Sequence, residues 1–276
     1  MRLVRDETGR LHLDTPLMAE SLMDEGLLER TEIEQVFRPL PDLNVIKLGG
    51  QSIIDRGSKV ILPLLDEIIA AQGQHQLLVM TGGGTRSRHA YAIALDLGMP
   101  TGVLARLGSS ISEQNALMIS ILLAPHGGVK IGHDDLLQLP AYIALGVIPV
   151  MHAMPPYGLW EEPAERGRIP PHRTDSGSYL TAEVLGAKRC ILVKDERGLF
   201  TVDPKKDPAA KFIEEIEVNE LLALDLPDLA VERAMLRELA HARSVREVLI
   251  VNGREPGNLT RALAGENPGT RIYRQQ

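Results

Sequence analysis

The chain has 276 residues, 44% of them hydrophobic and 24% charged, a balance that excludes a disordered or fibrous protein and suffices for one large domain or two joined ones. Thirty Lys and Arg against 37 Asp and Glu leave a net charge of -7, so neither nucleic acid nor an anionic membrane is an expected partner, and any anion site must be local. Cys190 is the one cysteine, which excludes an internal disulfide and Cys-rich metal centres and suits a reducing compartment, the cytoplasm by default.

Residues 1–37 are charged and loosely amphipathic, with Met18, Leu22, Met23 and Leu27 at the spacing of a short helix that cannot bury itself alone. They predict an N-terminal arm that packs on a partner subunit, followed by one domain over 38–276. Charges run through the first 30 residues without an apolar core, and later apolar runs are broken by Pro, Gly or charge, so neither a secretion signal nor a membrane span is expected.

From Asn44 the texture changes. NVIKLGG (44–50) reads as a strand stopped by two glycines, and Val60, Ile61, Leu64, Leu65, Ile68 and Ile69 give a helix over 57–71. QLLVMTGGG (76–84) repeats the strand and turn, with its helix over 89–97. Helical patterns at 112–123 and 136–145 lead to a strand at 147–153 and a Pro-rich segment at 155–173, where a soft internal boundary is placed near residue 170. A helix over 177–185 and a strand over 189–195 follow. The last third adds helical patterns at 218–224 and 231–242, a strand at 247–253, a short helix at 256–265 and a strand at 270–273. Strands alternating with helices predict right-handed crossovers and a largely parallel sheet covered on both faces, a three-layer α/β/α sandwich.

Glycines cluster at the carboxyl ends of predicted strands, at Gly49-Gly50, at Gly82-Gly83-Gly84 and at Gly198, where open α/β sheets bind ligands. Without a Cβ the backbone can approach an oxyanion closely, and its N–H groups then converge with the start of the next helix. The plain alternative is that such turns carry glycine for packing. Lys47 before the first cluster and Arg86 and Arg88 after the second favour a phosphate or another tetrahedral oxyanion. No G-x-x-x-x-G-K-[ST], G-x-G-x-x-G, G-x-S-x-G or H-E-x-x-H string occurs, which leaves P-loop, dinucleotide-fingerprint, nucleophile-elbow and zincin chemistry without support.

VKDERGLFTVDPKKD (193–207) resembles the nucleotide-binding stretch of the amino-acid kinase superfamily, and of uridylate kinases in particular. NVIKLGG is similar to that superfamily's first phosphate loop, TGGGTRSR to its second, and VNGREPGNLTRALAGENPGTRI (251–272) to the uridylate-kinase carboxyl terminus. Within the superfamily, DRGSKVILPLLDEI (55–68), AMPPYGLW (153–160) and RIPPHRTDSGSYL (168–180) look most like its molybdenum-storage branch. GTRSRH and LGSSISEQNA depart from uridylate kinase where UMP should bind.

The resemblance implies a carbamate kinase-like fold and ATP laid across Gly49-Gly50, with Lys47 at the β- and γ-phosphates. Adenosine would sit beside Lys194, Asp195, Gly198, Phe200, Asp203 and Pro204. Asp175 would position magnesium or the Lys47 ammonium, with Asp195 second; a helix cap without chemistry is the alternative for Asp175. Gly82, Gly83, Gly84, Arg86, Arg88, Ser109, Ser110 and Thr174 would hold a second anion, phosphate or molybdate. His133 and His152 are candidate contacts for an oxometalate, against an ordinary core or surface role. Two activities follow: an ATP-binding subunit of a molybdate or tungstate polyoxometalate store, built as a hexamer-type cage of homologous subunits, or a uridylate kinase-like enzyme. A regulatory nucleotide-binding module is the third reading.

Overall fold

The computed structural model describes residues 3–5, 7–13, 36–156, 161 and 167–275. The chain divides into two compact units, Met1–Phe37 and Arg38–Gln276. In the first, β1 (Leu3–Arg5) pairs antiparallel with β2 (Leu11–Leu13), two strands too short to show periodicity in the sequence. The helix expected around Met18–Leu27 lies outside the described residues, as does part of the 153–160 motif.

The second unit is organised by one eight-stranded sheet. Its strands are β3 (Leu43–Leu48), β4 (Gln76–Thr81), β5 (Gly128–Lys130), β6 (Ile148–His152), β7 (Arg189–Lys194), β10 (Glu215–Glu217), β11 (Glu247–Asn252) and β12 (Thr270–Tyr273). The order is β10-β12-β11-β7-β3-β4-β6-β5, parallel throughout except where β11 meets β12. The sheet runs unbroken across residue 170. A small hairpin of β8 (Leu199–Phe200) and β9 (Phe212–Ile213) stands beside it.

Helices α1 (Ser58–Ala71), α2 (Gly84–Asp96), α3 (Thr101–Leu123), α4 (Leu139–Ala144), α5 (Thr174–Leu185), α6 (Val218–Ala223), α7 (Arg233–Ala240) and α8 (Asn258–Ala264) complete the layers. Alternate strand residues feed two cores. Val45, Leu78, Leu192 and Ile250 join Tyr179, Met235 and Leu239 on one face, whereas Ile46, Val79, Ile191 and Val251 join Leu64, Ile68, Ile119 and Leu259 on the other. Burial on both faces explains why LNVIKL and RCILVK read as continuous apolar runs rather than alternating ones.

Several helices differ from the sequence pattern: α2 begins at Gly84 rather than 89 and α5 at Thr174 rather than 177, and two more differ further. α3 starts at Thr101 rather than near 112, because Leu104, Ala105, Gly108 and Ser109 are buried and packing overrides the weak propensity of Gly and Ser. Gly108 is needed there, since a Cβ would come within 1.9 Å of the Tyr91 hydroxyl oxygen. The stretch expected as one helix over 136–145 is a 3-10 turn, His133–Gln138, followed by α4, with Pro140 at the junction.

Candidate active site

Sequence order reverses around β3. The chain passes from β3 to β4 and β6 on one side, then returns to place β7 on the other, so the turns after β3, β4 and β7 open at one end of the sheet around a single crevice. The cleft there has a volume of about 890 Å³. Its floor is glycine on glycine: a Cβ at Gly50 would lie 2.1 Å from the Gly84 nitrogen, and one at Gly82 would lie 2.7 Å from the Gly50 nitrogen. At these positions the packing reading and the ligand reading of the glycines coincide, because the close approach of the two loops is what leaves the space above them clear.

Lys47, at the end of β3, and Lys194, at the end of β7, converge on one carboxylate, Asp175, in the first turn of α5. Lys47 Nζ donates to Asp175 Oδ1 at 2.7 Å, and Lys194 Nζ donates to Oδ1 and Oδ2, both at 2.9 Å. Asp175 is 3% exposed and Lys47 4%. Burial works against ionisation of Asp175, but the charges of Lys194 and Lys47 overcome it and hold the carboxyl below the usual range. Burial pushes the Lys194 ammonium down, against the attraction of Asp175. Lys47, Lys194 and Arg173, whose Nε lies 3.7 Å from Glu232 Oε1, face the two carboxylates of Asp175 and Glu232, so the site is short of negative charge, the condition that favours a phosphate.

Asp175 does not cap its helix. Glu232, 7% exposed, does so from 57 residues away, accepting from the backbone nitrogens of Arg173 at 2.9 Å, Asp175 at 3.1 Å and Ser176 at 3.1 Å. The α5 start is thereby fixed, and the Asp175 side chain is left for the lysines. Behind it, Glu238 is pushed up to about 7 by burial and by the neighbouring Glu232 charge. Cys190 is buried on β7 with its thiol pushed up to about 12 by desolvation, which removes it from nucleophilic chemistry.

The other half of the cleft is walled by Phe200, Val202, Pro204, Leu229, Ala230 and Val231, with Gly198 and Asp203 beside them. Asp195, the second magnesium candidate in the sequence, also lines the cleft but is bound by Arg56 and lies 3.5 Å from Lys205 Nζ. Burial opposes its ionisation, and the Arg56 hydrogen bond with the Lys205 charge outweighs that and lowers its pKa.

Of the remaining residues singled out in the sequence, Gly83, Gly84, Arg88 and Thr174 line the same cleft, whereas five others do not. Arg86 turns to Gln114 Oε1 at 2.9 Å and to Asn115 Oδ1; Asn115 in turn donates to the Gly82 carbonyl, so Arg86 buttresses the loop from behind. The Ser110 hydroxyl donates to the Arg106 carbonyl. Ser109 Oγ is 3.4 Å from His152 Nδ1, and the rings of His133 and His152 meet edge to face at 4.4 Å. Burial pushes His152 down to about 4, with the His133 charge acting in the same direction, and burial also lowers His133. No cluster of three or more His, Cys, Asp or Glu able to hold a metal occurs among the described residues. Glu232, Arg173 and Tyr91 were not among the candidate site residues read from the sequence, and Lys194, expected beside adenosine, also pairs with Asp175.

The amino acid kinase family model matches residues 42–252. The chain belongs to that family. Among curated amino acid kinase relatives, the beta subunit of the molybdenum storage protein of Azotobacter vinelandii is 51% identical over 94% of this chain and 96% of its own length. A uridylate kinase from Thermofilum pendens is 30% identical over 81% of this chain and 94% of its own length. Among solved structures, uridylate kinase from Archaeoglobus fulgidus gives a TM-score of 0.64 at 22% identity, covering 83% of this chain and 99% of that one. UMP kinase from Bacillus anthracis gives 0.66 at 20%, covering 86% and 98%, a likeness of fold. No described helix is long and apolar enough to cross a membrane.

Proposed function

We propose that this chain is a nucleotide-binding subunit of a multi-subunit store for molybdenum or tungsten, held as polyoxometalate, in which ATP drives uptake of the oxyanion. The observation that carries the cargo is the 51% identity to a molybdenum storage subunit across nearly the whole of both chains, against 30% to the uridylate kinase from Thermofilum pendens. The nucleotide half rests on the buried Lys47–Asp175–Lys194 cluster beneath the Gly49-Gly50 turn.

Phosphoryl chemistry asks a protein mainly for positioning and neutralisation of charge. The residues fit that demand. Lys47 and Lys194 would offset charge on the distal phosphates, and the main-chain N–H of Gly50 would contact the chain of phosphates, the Gly49 N–H being donated to the Val193 carbonyl at 3.0 Å. Phe200, Val202 and Pro204 offer an apolar wall for the base. Magnesium keeps most of its ligands from water and phosphate and needs one or two carboxylates; Asp175 is the one in reach, with Asp195 at the rim. His133 and His152, neutral at pH 7 because burial lowers both, present imidazole rather than imidazolium and remain the proposed oxometalate contacts. The assembly is a hexamer-type cage of homologous subunits in the cytoplasm.

Elemental analysis of the purified native complex, with its mass, tests the reading. Many molybdenum or tungsten atoms per chain support storage, and ATP affinity that falls at least about tenfold in Lys47→Ala supports the nucleotide site, since a charge-assisted contact to phosphate is worth at least ~1.4 kcal/mol. UMP-dependent release of ADP without bound metal would replace this reading with the kinase one.

A further inference from the structure

Glu232 stands at the residue before α7, the position from which a side chain ordinarily caps its own helix, yet it makes no such bond to α7. Its carboxylate crosses instead to the start of α5, where Oε2 accepts from the backbone nitrogens of Arg173 and Ser176 and Oε1 from that of Asp175. Arg173, at the residue before α5, supplies no side-chain cap either, so the first turn of α5 depends on a group brought in by another element. The three donors bracket Asp175 in the chain. The turn is pressed from a second side as well, since a Cβ at Gly177 would come within 2.0 Å of the Ala153 carbonyl oxygen.

The aim of Asp175 has little room for error. Its Oδ1 is shared by Lys47 and Lys194 and its Oδ2 is held by Lys194, three contacts of 2.7 to 2.9 Å to side chains from the ends of two strands, β3 and β7. A rotation of the α5 start that lengthens any of them leaves a buried ammonium short of its partner. Glu232 lines the cleft, but both of its oxygens are taken by backbone donors, with Arg173 Nε at 3.7 Å, so its own carboxylate is not placed to receive a ligand.

We propose that Glu232 is a positioning residue of the nucleotide site: it holds the backbone on either side of Asp175, aims that carboxylate between the two lysines, and acts on a bound triphosphate only through Asp175. This rests on the nucleotide reading above and extends the site to the start of α7, an element that reaches the lysine cluster by this one side chain.

The test is a double-mutant cycle on the full-length protein, with wild type, Glu232→Gln, Asp175→Asn and the double variant each titrated with ATP by calorimetry and melted without it. Gln keeps the length of the side chain but turns amide N–H groups toward backbone donors, which releases the α5 start. Freed of a well-aimed carboxylate, the lysines should then bind ATP at least about threefold more tightly in Glu232→Gln than in wild type, whereas the same substitution should change ATP affinity by less than about twofold once Asp175→Asn is present. Affinity that is unchanged or weaker in Glu232→Gln would make Glu232 a plain helix cap, and an equal shift in the Asp175→Asn background would make it a charge acting on the ligand directly; either result overturns the proposal. A wild type that binds no ATP defeats the nucleotide reading instead, and the melting cycle still decides the role of Glu232: losses of melting temperature that fall short of additive support positioning through Asp175, and fully additive losses overturn it. Should Glu232→Gln not fold, Glu232→Asp, which keeps the charge but falls one methylene short of the α5 start, takes its place in the cycle.

Discussion

Replacing Asp175 by Asn keeps the shape of the side chain and removes one charge from a place where two ammonium groups depend on it. Lys47 and Lys194 hold its oxygens at 2.7 and 2.9 Å, and the carboxylate is 3% exposed, so water cannot substitute for it. Removing one member of a buried ion pair costs about 3–5 kcal/mol, because the remaining charge stays desolvated without a partner. In a chain of this size each kcal/mol moves the melting temperature by about 2–4 °C, so Asp175→Asn should lower it by about 6–20 °C at pH 7. The deficit should depend on pH in a fixed direction. Burial already pushes Lys194 below the lysine range, and without Asp175 the native form will release a proton that the unfolded chain keeps until about pH 10.4. Stability of the variant therefore rises with pH from the lowered native pKa of Lys194 up to about 10.4, and its gap from wild type should narrow as the solution is made alkaline, read by comparing pH 7 with pH 9. Saturating ATP should stabilise the variant more than wild type, since its phosphates would supply the missing negative charge. Thermal unfolding at both pH values, with and without ATP, measures all three effects. A fall below about 2 °C with no pH dependence would refute the picture of a buried cluster held by one carboxylate.

Gly50→Ala should lower stability by about 1–3 kcal/mol and weaken ATP binding, because the added Cβ would meet the Gly84 nitrogen at 2.1 Å and Cα at 2.6 Å, backbone atoms that cannot rotate away. Chemical denaturation and nucleotide titration on the same sample would show both losses, and an unchanged midpoint would contradict the back-to-back packing of the two loops. Glu238 is pushed up from 4.5 to about 7, so the native state keeps a proton that the unfolded chain has lost, and this carboxyl makes stability decline as pH rises from 4.5 to 7. Glu238→Gln should accordingly be more stable than wild type at pH 8 and match it near pH 4.5; melting curves at the two pH values with no difference between them would place Glu238 in water.

Much of the architecture is local and was legible in the sequence. Apolar runs of six, glycine turns and helical spacing fix strands such as Leu43–Leu48 and Arg189–Lys194, and the parallel order follows from their alternation with helices. The glycine turns and Lys47 could be set at strand ends from chain order, whereas Asp175 was singled out by the family resemblance, with a plain helix cap as its alternative. β5, β10 and the β8/β9 hairpin were not, since elements of two or three residues carry no period. The start of α3 was hidden because Gly108, Ser109 and Ser110 look like a break until Tyr91 and the sheet are packed against them.

What the tertiary structure alone decided is where the charges go. Lys47, Asp175 and Lys194 are separated by 128 and 19 residues, Glu232 closes a helix that began 58 residues earlier, and Asp55 reaches across 30 residues to the start of α2. Periodicity reports burial along one element, because it repeats with the geometry of that element. The pairing of ionised groups depends on distances between elements, which exist only once β3, β4 and β7 lie side by side and bring their ends to one crevice.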